Sequence, residues 1–187
     1  MTDYSIEQLE GFYEDGGETL FDRMLQLEKV LDDYRRSVFR EIGGVRTQEK
    51  PGEEAINRLR EQSNHVARLV DKTLETIFLD DEMRLDEKLD LTWEVITQDT
   101  STRKIVYKAA LDQSDEYDEE QLIESASSEM INLEDFRGFC VETYYEAGGT
   151  EQEKLELLHH TVSSDYLISV NTDFNVFSAE LLDQQVD

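Results

Sequence analysis

The sequence predicts an α+β chain, mainly α: a long antiparallel helical hairpin, then a β-hairpin and a smaller mixed carboxy-terminal part. Three observations carry this expectation. Apolar residues at Leu20, Met24, Leu27, Leu31, Tyr34 and Val38 step by four and three, as they do along one side of a helix. A second seam, Ile56, Leu59, Val66, Val70 and Ile77 with Ser63 and Thr73 as weaker members, keeps that rhythm beyond Gly43-Gly44 and Pro51-Gly52, so the two arms fold back on each other. From Leu89 the period shortens to two, with Leu91, Trp93 and Val95 alternating with Asp90, Thr92 and Glu94, the spacing of a half-buried strand. The chain accordingly divides into a helical region over 1–88 and a mixed region over 89–187.

Taken in order, Ser5-Ile6-Glu7-Gln8 is a capping box that starts a short helix with Ile6, Leu9, Phe12 and Tyr13 on its apolar side, ended by Gly16-Gly17. Each arm of the following hairpin is on the order of 40 Å long at 1.5 Å per residue. Asp80–Asp90 is polar and acidic, with Met83 and Leu85 in a last turn. Gln98-Asp99-Thr100-Ser101-Thr102 then separates the alternating run from Ile105-Val106-Tyr107, which makes 89–110 an antiparallel β-hairpin. Two strands alone are marginal in water, so the ribbon must pack on helices, strands or another subunit. Asp112–Glu120 holds six acids in nine positions and reads as a solvated linker into a helix carrying Leu122, Ile123, Ala126 and Met130. Leu133–Ala147 is a helix with Phe136, Phe139, Cys140 and Tyr144 at helical spacing, stopped by Gly148-Gly149. Thr150 and Glu153 form a capping box for a short helix through Leu155, Leu158 and His159. Tyr166, Ile168 and Val170, the turn Asn171-Thr172-Asp173, then Phe174 and Val176 read as β again, before a final short helix over Ala179–Leu182.

The charge balance is extreme. Against 45 Asp plus Glu stand 18 Lys plus Arg, a net charge of −27, where a small soluble domain usually carries a magnitude of about 2–8. Disordered chains are acidic too, but they lack apolar seams and aromatics, and this chain has eight Tyr, eight Phe and one Trp. Only seven of the basic residues are Lys, against eleven Arg, and the acids are spread along the whole length. In about 1 M salt the screening length falls to roughly 3 Å and self-repulsion nearly vanishes. This composition resembles that of proteins from salt-in halophiles, such as haloarchaea and the viruses that infect them. The resemblance implies a working place in the cytoplasm of a halophile or in a virus particle. No leader pattern at Met1–Glu10 and no apolar run of 18 residues is present, so neither a signal peptide nor a membrane span is expected. The densest basic cluster, Arg35-Arg36 with Arg40, is flanked by Asp32, Asp33 and Glu41, and direct sequence-specific nucleic-acid binding is not expected.

Chemistry-bearing patterns are weak throughout. His159-His160 point about 100° apart on a helix and do not jointly hold one ion, and His65 reads as surface or interhelical. Asp80-Asp81-Glu82 and Asp115-Glu116 lack the spaced loop of a calcium site. Ser163-Ser164-Asp165 near His160 has no G-x-S-x-G beside it, and none of the Gly-Gly pairs belongs to a phosphate loop. Cys140 is the single cysteine, which excludes an intrachain disulfide; it reads as a core thiol whose pKa burial raises.

No catalytic, cofactor-binding or metal site is therefore assigned, and no cofactor is expected. The aromatics Phe12, Tyr13, Phe21, Phe39, Trp93, Tyr107, Phe174 and Phe177 are the candidates for covering partner surfaces. The leading functional expectation is a non-enzymatic structural or adaptor subunit of a larger assembly, a homo-oligomer or multi-subunit complex with protein partners. A cytoplasmic regulatory or protein-binding module is the alternative, and a carboxylate-dependent enzyme comes third. The recipe of helical core, protruding β-hairpin and extended carboxyl end is similar to the head-to-tail connector subunits of tailed viruses, an analogy of architecture with no motif behind it.

Overall fold

The computed structural model describes residues 20–43, 52–111, 121, 124 and 131–183. Among them are five helices and no strand: α1 (Leu20–Gly43), α2 (Glu53–Phe78), α3 (Leu85–Leu111), α4 (Leu133–Glu146) and α5 (Glu151–Asp183). Side-chain contacts set their directions. Arg58 near the start of α2 donates to Glu41 near the end of α1 at 2.9 Å, Lys88 at the start of α3 meets Ile77 at the end of α2, and Ser63 in mid-α2 meets Arg103 far along α3. These three helices thus run up, down and up. Helix α5 opposes α2, since Asp71 meets His159 while Arg60 meets Asn175, and so runs parallel to α3. Helices α2 and α3 pack on each other and both touch α1 and α5, which flank the central pair on opposite sides; α4 rests outside, on α3 and α5.

The expected β-hairpin at 89–110 is not formed. Those residues lie within the 27-residue helix α3, whose buried face is Leu89, Thr92, Val95, Asp99, Arg103, Val106 and Tyr107. That face steps by three and four, but three of its members are polar or charged, so its period does not show in an apolar pattern. The alternation arose because Leu91 and Trp93, half-buried on the flanks, fall between true core residues. The β-like carboxyl end is likewise helical. Residues 151–183 form one 33-residue helix, with Leu158, Val162, Tyr166, Val170, Phe174, Phe177 and Leu181 buried at steps of three and four, and with Ile168 facing outward. The short helices expected through His159 and over Ala179–Leu182 are its two ends. Packing along a full helix face outweighs the β-propensity of a few branched residues. The likeness to connector subunits loses the β-hairpin it rested on.

The apolar seams of α1 and α2 are buried faces: Leu27, Leu31, Tyr34 and Val38 meet Ile56, Leu59, Val66, Val70 and Ile77. At one end of the core the Tyr107 ring stacks on Phe177, centroids 4.3 Å apart, with Tyr34 and Phe174 edge-on to it. At the other end, buried Lys88 donates to the carbonyls of Ile77 at 3.1 Å, Phe78 at 2.8 Å and Asp80. Two of these carbonyls belong to the last turn of α2 and the third to the turn beyond it, so a lysine holds the α2–α3 turn shut. Burial lowers the Lys88 pKa, while Asp80, Asp81 and Glu151 pull it back up.

Helix α4 starts at Asn132, whose side chain accepts from the Asp135 N–H at 2.9 Å. Helix α5 starts with the capping box: Thr150 N–H donates to Glu153 at 2.7 Å and Glu153 N–H donates back to the Thr150 hydroxyl at 3.3 Å. The backbone bond from Thr150, then the side-chain one, lowers the Glu153 pKa. Between the two helices Gly149 has φ +105°. The residues of the expected amino-terminal helix, the acidic linker and all of the following helix except Gln121 and Glu124 lie outside the described residues.

Candidate functional site

A charged pair sits in the middle of the bundle. Arg103 Nε lies 2.9 and 2.8 Å from the two Asp99 carboxylate oxygens, and neither side chain is exposed at all. The guanidinium also donates to the Ser63 hydroxyl at 2.5 Å and the Ser63 carbonyl at 3.1 Å. Asp99 accepts the Tyr166 hydroxyl at 2.8 Å. Over the guanidinium lies the Tyr34 ring, 5.3 Å away, whose hydroxyl shares a 2.7 Å bond with Tyr107. Four helices therefore meet at one arginine. Burial opposes its charge, but Asp99 and the neighbouring tyrosines outweigh that and raise its pKa above the ordinary guanidinium value. Burial, together with Asp99, raises the Tyr166 pKa; burial, together with Tyr107, raises that of Tyr34. Every strong donor and acceptor here is engaged within the cluster, an arrangement suited to holding helices.

Directly beside this cluster opens a cleft of about 410 Å³ between α3, α4 and α5. Helix α3 supplies Trp93, Ile96 and Thr100, α5 supplies Val162 and Tyr166, α4 supplies Phe136 and Phe139, and Ile131, two residues before α4, adds its side chain. The polar atoms of two lining residues turn away from the opening: the Thr100 hydroxyl donates to the Ile96 carbonyl at 2.7 Å, and that of Tyr166 to Asp99. The rest of the described lining is mainly apolar, with Thr97 and Ser169 as its other neutral polar side chains and with charge in Asp135, Asp165 and Lys104. The cleft stays open because α4 has 14 residues and buries only Cys140 fully, leaving Ile131 67% and Phe139 44% exposed.

The singled-out aromatics divide. Trp93 lines the cleft, and Phe39 is half-buried against the core. Tyr107, Phe174 and Phe177 are inside, in the stacked group described above. Phe12, Tyr13 and the Phe21 side chain lie outside the described residues. Ile131, Phe136 and Phe139 complete the cleft, and the helical spacing of the latter two in 133–147 was the signal for them.

The suspected grouping of Ser163 and Asp165 with His160 is not what forms: Ser163 and His159 meet Asp71, and Asp165 lines the cleft. Asp71 on α2 accepts from Ser163 and lies 3.2 Å from His159 Nε2. The carboxylate stands between hydroxyl and imidazole, whereas a nucleophilic relay needs the imidazole in the middle. The trio clips α5 to α2. Cys140 is fully buried, and burial pushes its thiol up to about 12. Among the described residues no group of three or more His, Cys, Asp or Glu is placed to hold a metal ion, and no helix is long and apolar enough to cross a membrane.

Comparison of this chain with protein-family models, with curated proteins and with solved structures finds no match.

Proposed function

We propose that the chain is a non-enzymatic adaptor subunit working within a larger protein assembly in concentrated salt. The observation that supports this reading most is the three-helix cleft. On a chain with net charge −27, a wall that groups Trp93, Ile131, Phe136 and Phe139 is a place where water contact is costly and partner contact favourable. Aromatic side chains of this kind anchor protein interfaces, while acidic surroundings keep the rest of the surface dissolved. The concentrated-salt part rests on the spread of acids and the scarcity of lysine.

The test is the mass of the native protein. Isolated from its own source in about 2 M KCl, the chain should travel in a particle well above its own 21.8 kDa, at the salt level where its self-repulsion is screened. Phe139→Asp, a change at a half-exposed position, should release it while leaving its helix content intact. A native protein found at monomer mass would overturn the adaptor reading.

A further inference from the structure

We infer that the α3–α4–α5 cleft receives a cationic amphipathic helix of a protein partner; this rests on the adaptor reading and names the chemistry of what is bound. The shape points to side chains as the recognised feature. Trp93, Ile96 and Thr100 on α3 and Val162 with Tyr166 on α5 are rows at helical spacing, and between them lies a space of about 410 Å³. An amphipathic helix offers anchors at the matching interval of three, four and seven residues. The described residues contain no strand edge for an extended peptide to join.

The lining fixes the polarity of the anchors. Trp93, Ile96, Ile131, Phe136, Phe139 and Val162 make most of the wall, Thr100 and Tyr166 spend their hydroxyls on Ile96 and Asp99, and Thr97 and Ser169 are the other neutral polar residues of the described lining. A mainly apolar anchor matches such a wall, since a polar one would exchange water for few partners. The flanks of the entering helix meet Asp135 and Asp165, with Lys104 the one cation among the described residues that line the cleft.

Charge then selects the occupant. Residues 1–19 carry six acids and residues 112–130 carry eight, with no Lys or Arg in either. A second copy brings another −27. All three are so rich in carboxylates that they would bring some into direct contact with Asp135 and Asp165, the range at which a screening length of about 3 Å leaves part of the repulsion in place. A segment with Leu-type residues on one face and Lys or Arg on the other fits both wall and rim.

Trp93 is the only tryptophan in the chain and lines the cleft, so its emission reports occupancy. In about 1 M KCl the full chain is titrated with a synthetic helix of Leu on one face and Lys on the other, with a scrambled peptide of identical composition, and with a version carrying Glu for Lys. The first should give a saturable shift with Kd of about 10 μM, and the other two should bind at least about tenfold more weakly, a difference of ~1.4 kcal/mol. Preference for Lys over Glu should grow as KCl falls toward about 0.5 M. Phe139→Asp and Ile131→Glu should each weaken the Leu/Lys peptide about tenfold or more, and Asp165→Lys several-fold, with circular dichroism unchanged in all three. Equal binding of the scrambled or Glu peptide, no saturation by about 100 μM, or an emission shift that follows protein concentration alone with doubled mass would overturn the inference. Peptide failure with a native particle intact removes only the partner chemistry; peptide binding by a natively monomeric chain removes only the adaptor reading.

Discussion

Arg103 and Asp99 form an ion pair sealed from solvent one helical turn apart on α3, with Nε 2.9 and 2.8 Å from the two carboxylate oxygens. Removing one member leaves the other charged with no partner. Asp99→Leu should therefore destabilise the fold by about 3–5 kcal/mol, and replacing both residues with apolar side chains should recover much of that loss. Urea unfolding in concentrated KCl measures both. A loss under about 1 kcal/mol for the single change would mean that the pair is solvated, as exposed pairs are.

The packed seam makes a second prediction. Leu31 and Val66 are buried, while Arg36 and Glu61 are exposed. Leu31→Ala should cost about 2–4 kcal/mol and Val66→Ala somewhat less. Arg36→Ala and Glu61→Ala should stay within about 0.5 kcal/mol. Four equally mild substitutions would show that α1 and α2 do not form the core.

Gly149→Ala tests the entry to α5. At φ +105° an L side chain is strained, and an added Cβ would stand 2.5 Å from Glu153 Oε2, the atom that closes the capping box. The expected loss is about 1–2 kcal/mol, whereas Gly148→Ala, with open space around it, should lose less than half as much. Equal effects at the two positions would argue against the box.

Alkaline pH should unfold the bundle. Burial first, and then their hydrogen-bonded neighbours, raise the Tyr34 and Tyr166 pKa values well above the usual phenol value, and burial lifts the Cys140 thiol to about 12. In each case the folded group keeps a proton that the unfolded chain releases near pH 9–10, so the stability they contribute is complete below about pH 9 and declines above it. The melting temperature should fall steeply from pH 9 to 11. Cys140 in the folded chain should also react far more slowly than a free thiol at pH 9. Rapid reaction there would place the thiol at the surface.

Salt should decide the state of the whole chain. A net charge of −27 opposes compaction, and shortening the screening length from about 10 Å at 0.1 M to about 3 Å at 1 M removes most of that opposition. Circular dichroism should show cooperative helix loss as KCl is lowered from molar to tens of millimolar at neutral pH, with partial recovery on mild acidification. A melting temperature indifferent to salt would defeat the halophile reading.

Helices α1 and α2 were legible because every core position in the α1 seam, and most in that of α2, is apolar. Helix α3 was not, since Thr92, Asp99 and Arg103 occupy core positions and a hydrophobicity pattern skips them. Two signals would have corrected the reading. Asp99 and Arg103 are an i,i+4 pair of opposite charge, a helical pairing, and no Gly or Pro occurs between Gly52 and Gly138, or after Gly149. A tight hairpin turn at 98–102 would want Gly or Asn. In α5, Asn171-Thr172-Asp173 imitated a turn, but Asn171 and Thr172 bond back to the carbonyls of Leu167 and Ile168 at 2.8 Å, inside an unbroken helix. The cleft was half legible: Trp93 stood out as an aromatic, whereas its partnership with Phe136 and Phe139 needed α4 to be laid across α3 and α5.

The arginine at the centre also sets an axial phase. A seam of leucines tolerates a slide of one turn, about 5.4 Å, because one leucine replaces another. Arg103 has no such understudy: it reaches Ser63 on α2 while its partner Asp99 takes the Tyr166 hydroxyl from α5. Helix α3 is thereby indexed against both neighbours at a single height. The cleft rows on α3 and α5 belong to those same two helices, so the distance between Trp93 and Val162 along the bundle axis is gauged by polar contacts lying behind the cleft wall.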